Sequence, residues 1–263
     1  MTIYGDEAGT MPLRESEGYF VVAVFASFKK LSETSFPSSN PKWPLNFLVK
    51  VKGEPQIFYI NPDSAYEDIV VKKLNKLDIM ARYRKLITGT HKYVTKKGII
   101  ARNYIWTTCI HKAIGQAILS VLHRSKITEI NIVLDQKSLK PETELFFRDQ
   151  IKLLPDLMIN VILKSPSLSY PIACKLRNRI NFTSNNISVE FNSDSTPPVG
   201  LRIAHYLASH AFQELEETNN ISILEEIGFK DRVLDYTTYL MKPISINAIR
   251  KWNKETGLNE PRE

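Results

Sequence analysis

Ile3-Tyr4-Gly5-Asp6-Glu7-Ala8-Gly9, followed after a turn by Tyr19-Phe20-Val21-Val22-Ala23-Val24-Phe25-Ala26-Ser27-Phe28, is the stretch on which the architecture turns. Residues 2–6 and 19–29 read as two strands, joined by a turn containing Gly9, Pro12 and Gly18. An acidic pair at the tip of the first strand adds nothing to a core. Apolar strand interiors push such carboxylates to the strand end, where a hydrated metal ion, a phosphate or a basic partner can reach them.

Outward from this pair, Ile57-Phe58-Tyr59-Ile60 reads as a third strand, and Phe36 to Pro44 as an irregular loop rich in Pro and Ser. From Tyr66 to Ile87, Val70, Leu74, Leu77 and Ala81 recur at helical spacing, predicting an amphipathic basic helix. Asn103 to His123 reads as a second helix, apolar on more than one side. Ile130-Asn131-Ile132-Val133-Leu134 is a short β-branched run ending at Asp135, with helical patterns before it and again from Pro141 to Leu154, and it resembles a buried parallel strand. Residues 157–163 and Ile187 to Phe191 read as further strands. Asp194-Ser195 and Pro197-Pro198 then lead into a helix from Val199 to Glu217, with Leu201, Ala204, Ala208, Ala211 and Leu215 facing inward. Strands first, then helices alternating with strands, predict an α/β fold with a mixed central sheet flanked by helices. A single domain over residues 1–263 is expected, with a basic helical insertion at 61–102 and a C-terminal extension at 218–263.

The composition, 43% apolar and 24% charged, is that of an ordinary globular chain. No run approaches the length of a membrane span and no signal-peptide pattern opens the sequence, so a cytoplasmic protein with no membrane partner is expected. Cys109 and Cys174 lack partners at metal or redox spacing and read as reduced, buried thiols.

Charge is distributed unevenly. Residues 70–102 carry Lys72, Lys73, Lys76, Arg82, Arg84, Lys85, Lys92, Lys96, Lys97 and Arg102 against Asp78 alone. Lys164, Lys175, Arg177 and Arg179 add positive charge in 157–186, whereas 213–235 is acidic. Concentrated positive charge attracts polyanions by releasing condensed counterions. Tyr83, His91, Tyr93, Tyr104 and Trp106 interleave with the basic residues and offer faces for unpaired bases. Nucleic acid, DNA or RNA, is therefore the expected partner; a solvated helix face with ordinary core aromatics is the plainer alternative.

Hydrolysis of a phosphodiester needs charge neutralisation and an activated water. Two cations about 4 Å apart supply both when carboxylates converge on them. Asp6 and Asp135 are the expected anchors, sharing an ion if their strands are neighbours. Side chains alternate along a strand, so Glu7 is expected to support or cap the turn rather than serve equally with Asp6, although it remains a metal-ligand candidate. Asp194 either completes the cluster from its loop or does ordinary turn chemistry. His205 shares a stripe with Leu201, Ala208 and Phe212 and is expected to face inward, as a hydrogen-bonded core histidine or as a ligand or proton-transfer group. Glu142 and Glu144 are reserves, and His91, His111 and His210 receive no chemistry. The chain has no phosphate-binding loop, dinucleotide fingerprint, nucleophile elbow or His-Glu-x-x-His helix.

Three landmarks occur in order: Tyr4-Gly5-Asp6-Glu7-Ala8-Gly9, then Val133-Leu134-Asp135, then Asp194-Ser195 before Gly200-Leu201-Arg202-Ile203-Ala204-His205. This ordered set resembles domain-of-unknown-function family 3800, whose members typically open on Tyr-x-Asp-Glu-Ser-Gly and carry a late Leu-Gln-Leu-Ala-Asp helix. The resemblance implies a ribonuclease H-like fold and a metal-dependent nuclease in bacterial defence or mobile-element settings. Ala8 replaces the family's Ser, and His205 stands in place of the late aspartate. Magnesium prefers oxygen donors and manganese accepts imidazole more readily, so the second exchange implies a shift toward manganese, a single-metal site or lost catalysis. The competing expectations are a catalytically silent nucleic-acid-binding module and a protein-interaction subunit presenting its acidic 213–235 surface.

Overall fold

The computed structural model describes residues 1–10, 18–28, 31, 43–61, 97–135, 141–165 and 168–235. In chain order these form β1 (Thr2–Gly9), β2 (Phe20–Ser27), α1 (Trp43–Val51), β3 (Glu54–Ile60), α2 (Lys97–Leu122), β4 (Ile130–Asp135), α3 (Pro141–Ile151), α4 (Leu154–Lys164), α5 (Tyr170–Arg177), β5 (Ile187–Asn192), α6 (Val199–Thr218) and β6 (Val233–Asp235). The fold is α/β: a mixed six-stranded sheet in the order β5-β4-β1-β2-β3-β6, flanked by helices. No helix among the described residues is long and apolar enough to cross a membrane.

β1, β2 and β3 form an antiparallel meander, β4 runs parallel to β1, β5 parallel to β4, and β6 parallel to β3. Every strand except β2 therefore points the same way, and the carboxyl ends of β1, β4 and β5 share one edge. β2 is buried along its whole length, as its unbroken apolar run requires of a strand covered on both faces. Gly9, at φ 85°, turns the chain out of β1, where Thr10 N–H donates to the carbonyl of Tyr19 at 3.1 Å.

One face packs Ile3, Val22, Val24, Phe58, Ile132 and Leu134 against α2 and helices α3 to α5. The other packs Tyr4, Val21, Ala23, Phe25, Ile57 and Val133 against α1 and α6. The inward stripe of α6 is as its spacing predicts, with Leu201, Ala204, Ala208, Ala211 and Leu215 all buried. Gly200 lets this helix settle onto β1, since a Cβ there would lie 2.2 Å from the Tyr4 ring.

Four readings of the sequence need correction. Residues 157–163 belong to helix α4, not to a strand. Leu154, Met158 and Ile162 are buried at four-residue spacing behind Pro155 in the first turn, a pattern that a short apolar run hides. Trp106 is 1% exposed and packs edge-on to Phe147 at 5.4 Å, so it presents no face to a base. Arg179 is also taken from the basic surface: its Nη1 donates to the carbonyl of Leu122, 2.7 Å away, at the end of α2. Cys109 is buried, as expected, while Cys174 is only half-buried.

The part of the expected C-terminal extension that is described contributes the edge strand β6. Its approach is tied down by Glu54, 2% exposed, which meets Arg124 at 2.5 Å and Arg232 at 3.6 Å. Gln56 Nε2 donates to the carbonyl of Arg232 at 2.8 Å. Most of the expected basic insertion, including Lys72, Lys73, Lys76, Arg82, Arg84, Lys85, Lys92 and Lys96, lies outside the described residues. So do the side chains of Lys97 and Arg102.

Candidate active site at the carboxyl edge of the sheet

On β1, Tyr4, Asp6 and Ala8 share the α6 face by strand alternation. On β4 the same face carries Asn131, Val133 and Asp135. The parallel register pairs Gly5 with Leu134, so the following residues, Asp6 and Asp135, stand side by side on adjacent strands, whose spacing is about 4.8 Å. Asp135 is in turn paired with Asn192 on β5. A row of Asp6, Asp135 and Asn192 thus crosses three parallel strands at their carboxyl ends, the place where open α/β sheets present groups to ligands.

Asp6 is 1% exposed. Its Oδ2 lies 2.7 Å from Nδ1 of His205, and its Oδ1 accepts the backbone N–H of Glu7 at 2.8 Å. An ionised carboxylate only accepts, so His205 donates from Nδ1 and its basic nitrogen is Nε2. The expectation that His205 faces inward is corrected: its side chain is 56% exposed. One residue on from Ala204 is about 100° around the helix. That rotation takes His205 off the buried stripe and onto the flank, from which the ring reaches back to the sheet.

Glu7 is half-buried and next in alternation to Asp6, which directs it to the opposite face of β1. Asp194 sits in an exposed loop and folds back on Asn192: its N–H donates to Asn192 Oδ1 at 3.2 Å, and Asn192 Nδ2 donates to its Oδ2 at 3.4 Å. This is turn chemistry, and it brings Asp194 beside the row. Glu144 is half-buried in the first turn of α3. Among the described residues, no group of three or more His, Cys, Asp and Glu side chains is assembled that could hold a metal ion.

Sequence reasoning missed Asn192, which is 6% exposed. The signal was present in β5, where Ile187, Val189 and Phe191 take the apolar face and Ser188, Glu190 and Asn192 the other. Glu190 stands one step below Asn192. Burial, and then the charge of Glu190, raise the Tyr4 hydroxyl above its usual pKa.

No protein-family model matches this chain, and no curated protein sequence matches it.

Proposed function

We propose that the chain is a metal-dependent nuclease that hydrolyses phosphodiester bonds at the Asp6–Asp135 edge. The observation that carries this reading is the placement of two aspartates at the ends of neighbouring parallel strands, with an imidazole held against one of them. A meander of three antiparallel strands, with two parallel strands added beside the first, supports assigning the sheet to the ribonuclease H-like class. Together with the three ordered motifs, it supports membership in domain-of-unknown-function family 3800.

The donor set suits a divalent cation. Magnesium is commonly held by one or two carboxylates, with waters and substrate phosphates completing its shell, so Asp6 and Asp135 suffice without a protein cage of three. His205, bound to Asp6 through Nδ1 and left with Nε2 for the proton, is not counted as a ligand, so either magnesium or manganese suits the pair of carboxylates. When bound, the ion supplies charge neutralisation and a more acidic water at the phosphodiester.

The chain's own residues then have distinct tasks. Asp6 and Asp135 hold the ion, and Asp6 orients His205 through the Nδ1–H donation. His205 accepts a proton at Nε2 from the water that attacks phosphorus, while the bond from phosphorus to the leaving oxygen breaks. Asn192 fixes the Asp194 loop beside them.

A second reading draws on the same pair. His205 satisfies the buried Asp6 carboxylate without an ion, as a silent nucleic-acid-binding module would require. The test is incubation of the purified chain with single- and double-stranded DNA, RNA and hybrid, in magnesium and then manganese. Cleavage abolished by Asp6→Ala and by Asp135→Ala supports the nuclease. Salt-sensitive binding with no cutting supports the silent module, and normal cutting by both variants removes the site.

A further inference from the structure

β5 closes one side of the sheet, so one of its edges has no neighbouring strand among the described residues. Which main-chain groups face that edge follows from the register, because successive residues of a strand turn their N–H and C=O groups to opposite sides. Asn131 donates its N–H to the carbonyl of Met1 at 2.9 Å, so on β4 the groups of Asn131, Val133 and Asp135 turn toward β1 and those of Ile130, Ile132 and Leu134 toward β5. Ile132 stands opposite Val189, and in a parallel ladder it bonds the residues on either side of its opposite number, Ser188 and Glu190. Ile187, Val189 and Phe191 therefore direct their main-chain groups outward. The N–H of Ile187 is taken by the carbonyl of Ser184.

An edge of this kind templates pairing with another chain unless something blunts it. Here that something is Arg148 on α3. Its Nη1 donates to the outward carbonyl of Val189 at 2.5 Å, and its guanidinium lies over the Phe191 ring, 5.0 Å from the centroid. Phe191 is itself held edge-on to Phe147 at 6.2 Å and beside Trp106 at 6.5 Å. The arginine is thus laid across a fixed aromatic surface, and a charge-assisted hydrogen bond closes the middle carbonyl of the edge.

The sequence of β5 suits one occupant of this edge, a second copy of itself. Two such edges related by a two-fold axis pair antiparallel, and with the axis at Val189 each Val189 exchanges both its N–H and its C=O with the other. Ile187 then meets Phe191, and Ser188 meets Glu190, an exposed hydroxyl opposite an exposed carboxylate. No like charges stand directly opposite in this register. Its central bonds need the carbonyl that Arg148 holds.

We propose that Arg148 is a guard that keeps two copies of this chain from joining through their β5 edges. The inference is independent of the nuclease reading, since neither Asp6 nor Asp135 belongs to this edge.

The test is sedimentation equilibrium of the full-length chain over a concentration series. Arg148→Ala is expected to form a dimer at concentrations where the wild type is monomeric, with association strengthened at least about tenfold, because a hydrogen bond to a charged group no longer competes with the pairing. Adding Val189→Pro should abolish the dimer: proline has no N–H to exchange, and an outward-facing position on an edge strand is one where it is tolerated. Adding Ser188→Glu instead, a change at an exposed position, should weaken the dimer several-fold by setting carboxylates opposite each other. Thermal melts matching that of the wild type separate lost pairing from lost fold. Equal association of the wild type and Arg148→Ala, whether both are monomers or both dimers, would overturn the proposal. So would an Arg148→Ala dimer that neither added substitution weakens.

Discussion

His205 on α6 places Nδ1 2.7 Å from Oδ2 of Asp6 on β1, joining residues 199 apart in sequence. The carboxylate is buried and the imidazole largely exposed, so the pair bridges the sheet interior and the protein surface.

Replacing this imidazole by a carboxylate tests what the pair does. His205→Asp would set two like charges against each other beside Asp135, a cost removed only by a cation. In chelator the melting temperature is expected to fall by roughly 3–6 °C, as a loss of about 1–2 kcal/mol would produce in a chain of this size. Added magnesium should restore it, and the ratio of magnesium- to manganese-supported cleavage should rise about tenfold. Equal melting in chelator and metal would show that no ion approaches this position.

Close approach of α6 to β1 depends on Gly200. A methyl group there meets the Tyr4 ring at 2.2 Å. Gly200→Ala is expected to cost about 1–3 kcal/mol as overpacking and to draw His205 away from Asp6. Combining it with Tyr4→Val should recover part of the loss, because the obstructing ring is gone. Urea unfolding of the two single variants and the double variant checks this, and additive losses would contradict the contact.

His111 on α2 provides a pH-dependent readout of folding. Its Nε2 is enclosed without a hydrogen-bond partner among the described residues, and burial, followed by the nearby Lys112 charge, lowers its pKa to about 4. In the unfolded chain the ring titrates near its ordinary value of about 6.5. Between these values the unfolded chain holds a proton that the folded chain does not. The contribution is therefore fully present above pH ~6.5 and is lost as pH falls toward ~4, amounting at most to about 3 kcal/mol. Urea midpoints at pH 7 and 4.5 should differ less for His111→Gln than for the wild type; an unchanged difference would exclude His111 as the source.

Much of this architecture was legible in the chain. β1, β2, β4 and α6 carry unmixed patterns: an unbroken apolar run, a short β-branched run ending in Asp135, and a stripe from Leu201 to Leu215. Segment 157–163 was not, because Leu, Met, Ile and Val satisfy strand and helix alike when read without Pro155 and the Leu154–Met158–Ile162 spacing. Trp106 was read with its basic neighbours, although Ile110, Ala113 and Ala117 continue a buried helical stripe from it.

Within the site, the type of group was readable and the geometry was not. Asp6 and Asp135 stand at strand ends, which the sequence shows, but their adjacency depends on β4 inserting beside β1 rather than beside β3. Asn192 ends its strand as Asp135 does, yet an amide attracts less notice than a carboxylate. The inward-facing expectation for His205 came from treating a helix stripe as wide enough to include its flank.

The most direct measurement is calorimetric titration of manganese into the wild-type chain, Asp6→Asn and Asp135→Asn. Either substitution should weaken a saturable site at least tenfold, because each removes one of the two carboxylates to which the proposed function gives the ion. Wild-type binding in both variants, or no saturable binding in the wild type, would contradict the joint site on which the proposed function stands.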